Sequence, residues 1–137
     1  MNADQLLERI ATTLRRDIGP AVAGEFPKTQ AFMAAVVLQK IGRQIGLQAV
    51  HGAADEADNQ ALLDDLRSEF AQTPVPAALA AALATFAGQR DASALCGLIT
   101  ALYAGRAGLG ETRFDLLIGR VRKNMRASID RRMVYAA

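Results

Sequence analysis

The chain has 137 residues, of which 51% are hydrophobic and 22% are charged, and its formal net charge is +2. This length suits one domain, and the apolar content excludes an intrinsically disordered chain. A single cysteine and a single histidine exclude a disulfide framework, a cysteine-based metal cluster and a multi-histidine metal site. The near-balance of charge excludes a strongly basic nucleic-acid coat protein.

The N-terminal segment predicts an amphipathic helix over residues 3–18. Asn2 and Gln5 have the spacing of a capping box, and Gly19–Pro20 ends the helix. Apolar residues recur at helical intervals. They are Leu6, Leu7, Ile10, Leu14 and Ile18.

A second helix is predicted from Pro27 to about Gly46, because proline is tolerated in the first turn of a helix. Residues 31–38 are apolar on all sides, which is the pattern of a central, mostly buried helix. Its expected inward face consists of Phe32, Met33, Val36, Val37, Ile41 and Ile45. Gly42 and Gly46 suit either a close helix crossing or a fraying helix end.

Four more helices are predicted, over 55–70, 76–88, 91–105 and 112–133. The acidic stretch 55–58 suits the start of the first of them, because acids favour a helix N-terminus. Asp91 or Ser93 caps the helix over 91–105. The expected inward residues are Leu62, Leu63, Leu66, Phe70, Leu79, Leu83, Phe86, Leu95, Leu98, Ile99, Leu102, Phe114, Leu117, Ile118, Val121, Met125 and Ile129, with Met133 as an extension.

These patterns predict an all-α fold: a single bundle of five to six helices with a central apolar helix, in one domain over residues 1–137. The N-terminus lacks the basic start and apolar core of a secretory signal. No apolar run reaches the roughly 20 residues of a spanning helix. We therefore expect no membrane span and a cytoplasmic location, where a lone thiol stays reduced.

The last predicted helix is the most charged part of the chain. Seven basic and three acidic residues lie from Glu111 onward. The candidate partner-binding residues are Arg120, Arg122, Lys123, Arg126, Arg131 and Arg132. Three interpretations stay open: a solvated face with local pairs such as Arg126–Asp130, a surface for an acidic protein, or a surface for nucleic acid. The last is disfavoured because no aromatic residues are interleaved for base stacking.

Few residues carry catalytic chemistry. His51 falls in a predicted loop near Asp55, without a nucleophile placed beside it, and Cys96 is interpreted as a small buried apolar residue. The acids at 55, 56 and 58 match neither an EF-hand loop nor a Glu-x-x-His metal motif. The sequence therefore predicts no metal site, no cofactor and no catalytic residue, which favours a binding protein over an enzyme.

Two segments carry a resemblance to a known family. The first has Leu6–Leu7–Glu8, Ile18, Pro20–Ala21 and Gly24 before the apolar helix over 32–45. The second has a helix over 95–105, then residues 114–135, with Ile129–Asp130–Arg131–Arg132 as its final turn. They resemble a bacterial helical domain of unknown function that is encoded beside aminoglycoside-phosphotransferase-like kinases and acyl-CoA dehydrogenases.

The resemblance implies an accessory role beside such a kinase or dehydrogenase, with no catalytic residues to transfer. Our first hypothesis is a non-catalytic protein that docks on a larger enzyme, steered by the basic residues. The second is a nucleic-acid-binding protein that uses the last helix, although we expect no nucleic-acid partner. The third is a protein or enzyme that binds an acyl chain in an apolar helical pocket. A homodimer is compatible with all three.

Overall fold

The structure is a computed structural model that describes residues 1–134, and within this range it contains helices and no strand. The predicted all-α fold is confirmed. The elements are α1 (Ala3–Thr13), a π-helical turn (Leu14–Ile18), α2 (Gly19–Ala21), α3 (Glu25–Gln72), α4 (Ala77–Gly88), α5 (Ala92–Ala104), α6 (Arg106–Leu109) and α7 (Glu111–Met133). Tyr135, which closes the second segment of the family resemblance, lies outside the described residues.

The longest element, α3, corrects the prediction of two helices with a break near His51. It runs without interruption for 48 residues. No proline lies between Pro27 and Pro74, and a glycine such as Gly52 costs an α-helix only about 1 kcal/mol relative to alanine. The neighbouring alanines and leucines favour helix, so the glycine does not end it.

Backbone contacts divide the chain into two compact units. The first consists of residues 1–51 and the described residues from Arg131 on, and the second of residues 52–130. The single domain over 1–137 stays a prediction.

The second unit holds a hydrophobic core of large side chains. The buried residues come from α3, α4, α5 and α7 at the predicted helical spacing. They are Leu62, Leu63, Leu66, Leu79, Leu83, Phe86, Ala94, Leu95, Leu98, Leu102, Phe114, Leu117, Ile118 and Val121. Phe70, Ile99 and Met125 are half-buried against this core. The prediction is wrong for Ile129 and Met133, which are exposed because the core ends before the last turns of α7.

The start of α5 resolves the choice between two capping residues in favour of Asp91. The Asp91 carboxylate accepts a hydrogen bond from the backbone N–H of Ala94 at 2.8 Å and another from Gln89 Nε2 at 2.5 Å. The bond from Ala94 lowers the pKa of Asp91 below its ordinary value, because it stabilises the ionised form. A lowered pKa means that the cap stabilises the fold at neutral pH, and that this contribution is lost as the pH falls through the lowered pKa.

We expect Asp91→Ala to lower the midpoint of thermal unfolding at neutral pH by about 2–6 °C. The difference from the wild type should shrink on acidification, because protonation removes the same cap from the wild-type chain. Ser93→Ala is the matched control and should leave the midpoint unchanged. Circular dichroism melts at several pH values provide the measurement. Equal shifts for the two variants would contradict the assignment of the cap.

The first unit is built on an antiparallel hairpin, in which α1 packs against the N-terminal part of α3. Gly42 faces the backbone of α1 so closely that an added Cβ would lie 3.3 Å from the carbonyl oxygen of Asp4 and 3.5 Å from Leu7 Cβ. At Gly46 an added Cβ would lie 3.4 Å from the Asp4 carboxylate. Of the two interpretations of this glycine pair, the structure supports the close helix crossing.

A second close approach fixes the other end of the hairpin. An added Cβ at Gly19 would lie 2.9 Å from the Leu14 carbonyl oxygen and 3.3 Å from the ring of Phe32. The absent side chain lets the Phe32 ring rest on the chain after the π-helical turn. Glycine is therefore required where α2 begins.

Candidate interaction surfaces

The basic residues of α7 are largely engaged within the chain. Arg120 lies 3.1 Å from the Asp65 carboxylate and 3.7 Å from the Glu69 carboxylate, and Arg122 donates a hydrogen bond to the Tyr103 hydroxyl at 2.6 Å. Arg126 pairs with Asp130 at 3.7 Å, as the sequence predicted. The positive charges are therefore partly neutralised in separate pairs.

Three predicted partner-binding residues remain. Lys123 is exposed and makes an ion pair with no described residue. Arg131 is half-buried and Arg132 exposed, and both interact with other groups of the chain. The first unit includes these two arginines, whereas the other four candidates belong to the second. Their assignment to a partner interface stays a prediction.

Two cavities adjoin these residues. One has a volume of about 530 Å³ and is lined by Arg120 and Lys123 as well as by the carboxylates of Asp58 and Asp65. The lining therefore includes two basic and two acidic side chains. The other has a volume of about 350 Å³ and is lined by Gln44, Ile45, Gln48, His51 and Arg132.

The remaining candidates for chemistry lie apart. His51 is half-buried within α3 and not in a loop. Cys96 is exposed, so its prediction as a buried residue is wrong. The reason is helical geometry: Leu95 and Leu98 face the core, and Cys96 points about 100° away from Leu95. Within residues 1–134, no cluster of three histidine, cysteine or acidic side chains is arranged to hold a metal ion.

One side of the hairpin, which we call the polar side, is closed by side-chain hydrogen bonds. Gln39 Nε2 donates to Glu8 Oε1 at 3.0 Å, and Arg15 Nη2 donates to Gln39 Oε1 at 2.7 Å. These bonds connect α1 and α3 directly. The polar side therefore consists of Glu8, Arg15 and Gln39.

The opposite side is apolar and open. Gly42 faces α1. Measured from Gly42 around the helix axis, Ile41 lies about 100° and Ile45 about 60° away in one direction of rotation. Gln39 lies about 60° away in the opposite direction. On α1, Ile10 and Leu6 likewise lie on the side away from Glu8. These four residues, which we call the apolar side, are Leu6, Ile10, Ile41 and Ile45, and each is 39–50% exposed.

A further apolar surface lies on the face of α3 that points away from α1. Ala35 is fully buried and lies about 20° round the helix from Gly42, so it is on the face towards α1. Residues two and nine positions from Ala35 point to the opposite face. Phe26, Met33 and Val37 occupy these positions and are 74%, 58% and 51% exposed. We call these three residues the outer stripe.

The exposure of both surfaces corrects the prediction that this segment is a buried central helix. Met33, Val36, Val37, Ile41 and Ile45 are all exposed, and only Ala35 and Gly42 are buried between Glu25 and Val50. The physical reason is that a helix with apolar residues on all sides needs neighbours on all sides, and these exposed side chains do not lie on the face that packs against α1. The apolar character of residues 31–38 was the sequence feature that could have indicated an exposed apolar surface. It was interpreted as burial within the chain.

Comparison of the chain with protein-family models, with curated proteins and with solved structures finds no match. The described helices include none with the length and apolar content needed to cross a membrane. Since no known protein is available for comparison, the assignment of a candidate interaction surface depends on the geometry of the hairpin.

Proposed function

We propose that this chain is a non-catalytic interaction protein that docks on a larger enzyme through the outer stripe. The exposure of Phe26, Met33 and Val37 along one ridge of α3 carries this proposal. An apolar helical ridge inserts into a groove lined by apolar side chains, which is a common mode of protein recognition. Aromatic residues serve as anchors in such contacts, and methionine adapts to irregular pockets.

The proposed partner class comes from the family resemblance: an aminoglycoside-phosphotransferase-like kinase or an acyl-CoA dehydrogenase. A cytoplasmic location belongs to the same proposal. The ion pairs of Arg120 and Arg126 reduce the charge available for steering an acidic partner. We therefore assign the main binding energy to the outer stripe, and to Lys123 and Arg126 at most an effect on association rate.

Purified enzymes of these two classes from the same organism are the binding partners to test. We expect a stoichiometric complex by sedimentation, with a dissociation constant that rises about 100-fold when Met33→Glu and Val37→Glu are combined. Both side chains are exposed in the free chain, so the double variant should keep its helical content.

The double variant Lys123→Glu, Arg126→Glu is the matched charge control, and we expect it to change affinity less than about threefold. A larger loss in this control than in the outer-stripe variant would restore the electrostatic hypothesis. Unchanged affinity of the outer-stripe variant, or no complex with either enzyme class, would overturn the proposed function.

A further inference from the structure

The cavity of about 350 Å³ beside Arg132 lies within the first unit, to which all five of its lining residues belong. Four of these residues have polar or charged side chains, namely Gln44, Gln48, His51 and Arg132, and the fifth is Ile45. Each of the four carries at least one N–H donor, and the described lining includes no acidic residue. The cavity therefore offers hydrogen-bond donors and positive charge, which an anion accepts together.

Three of the donors form a row on α3. Gln44, Gln48 and His51 are separated by four and three positions, so they lie within about 60° of one another around the helix axis and span about 10 Å along it. Measured from Gly42, the row is on the face of α3 that points away from α1. The side chains of the row make no hydrogen bond or ion pair with a described residue. Their donors are therefore available to a ligand.

Arg132, near the C-terminus of α7, supplies the positive charge of the cavity. Its guanidinium has five N–H donors in a planar fork, so it can keep its interaction within the chain and still donate to a ligand. The first unit contains eight basic and four acidic residues, which is a formal net charge of +4, whereas the whole chain has +2. Positive surroundings attract anions and raise their local concentration.

We propose that this cavity binds the phosphate group of a small phosphate monoester. Such a group carries about −1.5 to −2 charges at neutral pH and has three terminal oxygens, so it can accept from the α3 row and from Arg132 together. A guanidinium fork matches two of these oxygens. The cavity volume is near the lower end of the roughly 300–1,000 Å³ of small-molecule pockets, and Ile45 offers an apolar contact to the carbon skeleton.

The proposed site is separate from the outer stripe. Gln44 lies seven positions beyond Val37 on α3, which is about two helical turns. The site consequently does not rest on the proposed enzyme docking, and each can be tested without the other.

His51 is the chain's one histidine, so its imidazole signals in a proton–carbon NMR spectrum report on this cavity alone. The sample is the full chain without a histidine tag. We expect inorganic phosphate and glycerol phosphate, added at constant pH and ionic strength, to shift these signals along a saturable curve with a dissociation constant below about 10 mM. Acetate at the same ionic strength should produce no saturable shift.

Two variants on opposite sides of the cavity test its lining. Arg132→Ala should raise the dissociation constant for phosphate at least about tenfold, because it removes the guanidinium. Gln48→Glu should raise it as much by placing a carboxylate in the row. Both side chains are exposed, so neither change disturbs a packed core. Lys123→Ala is the matched control: it removes an exposed base of the same helix in the second unit and should change the constant less than about twofold.

A His51 shift that stays linear in phosphate concentration, or that acetate reproduces, would overturn the proposal. A dissociation constant left unchanged by Arg132→Ala or by Gln48→Glu would also overturn it. Loss of enzyme binding in the outer-stripe variant, with phosphate binding intact, leaves the phosphate site in place and concerns the docking surface alone.

Discussion

Replacing Phe86 with alanine is expected to lower the free energy of unfolding by about 3–5 kcal/mol. Phe86 is fully buried in the core of the second unit, on the face of α4 that also carries Leu79 and Leu83. Removing the ring forfeits its transfer from water and leaves a cavity that close-packed neighbours fill only in part. Chemical denaturation followed by circular dichroism measures the change.

Phe26→Ala is the matched control, because it makes the same chemical change at a position that is 74% exposed. We expect the control to alter the free energy of unfolding by less than about 0.5 kcal/mol. Comparable losses for the two variants would mean that Phe26 is buried in the protein as measured. That result would contradict the outer stripe as an open surface.

Replacing Arg113 with alanine is expected to cost about 2 kcal/mol, since charge-assisted hydrogen bonds are worth more than neutral ones. The Arg113 guanidinium donates to the carbonyl oxygens of Pro74 at 2.8 Å and Thr73 at 2.7 Å, and its side chain is only 16% exposed. It also lies 3.8 Å from the Glu69 carboxylate. These contacts satisfy carbonyl groups just beyond the C-terminus of α3 and hold α7 against it.

Two further variants isolate the role of the guanidinium. Arg113→Lys should recover only part of the lost stability, because an ammonium group does not bridge two carbonyl oxygens as a planar guanidinium does. Arg126→Ala removes an exposed arginine from the same helix and should cost less than about 0.5 kcal/mol. If Arg113→Lys matched the wild type, charge alone and not the bidentate geometry would account for the contact.

In the second unit, the spacing of residues within single helices predicted both inward faces and capping residues. The spacing of Phe114, Leu117, Ile118 and Val121 predicted the inward face of α7, because a helix that packs on one core must place its apolar residues at intervals of three and four. The sequence also limited the capping residue of α5 to Asp91 or Ser93, because capping is a contact within one turn of a helix. Only the hydrogen bond from Ala94 decided between them.

Patterns within one helix predict only some of the contacts that the basic residues of α7 make. Arg126 and Asp130 are one helical turn apart, so their ion pair was predictable. Arg120 pairs with Asp65, 55 positions earlier in the chain, and Arg113 with carbonyl groups some 40 positions earlier. Such partners depend on how α3 and α7 pack, which no spacing within one helix reveals.

By itself, the sequence determined the all-α fold and most of the core-facing residues of the second unit, whereas the tertiary structure decided that Gly42 and Gly46 lie at a close helix crossing. Both the fold class and these core-facing residues follow from the spacing of apolar residues within single helices. Only the tertiary structure decided that α3 is continuous and that much of the apolar surface of its N-terminal part is exposed. Periodicity reports which residues favour an apolar environment, whereas burial depends on how many neighbours the fold supplies. In the hairpin, α1 covers the face of α3 that carries Ala35 and Gly42, and the apolar residues on other faces are exposed.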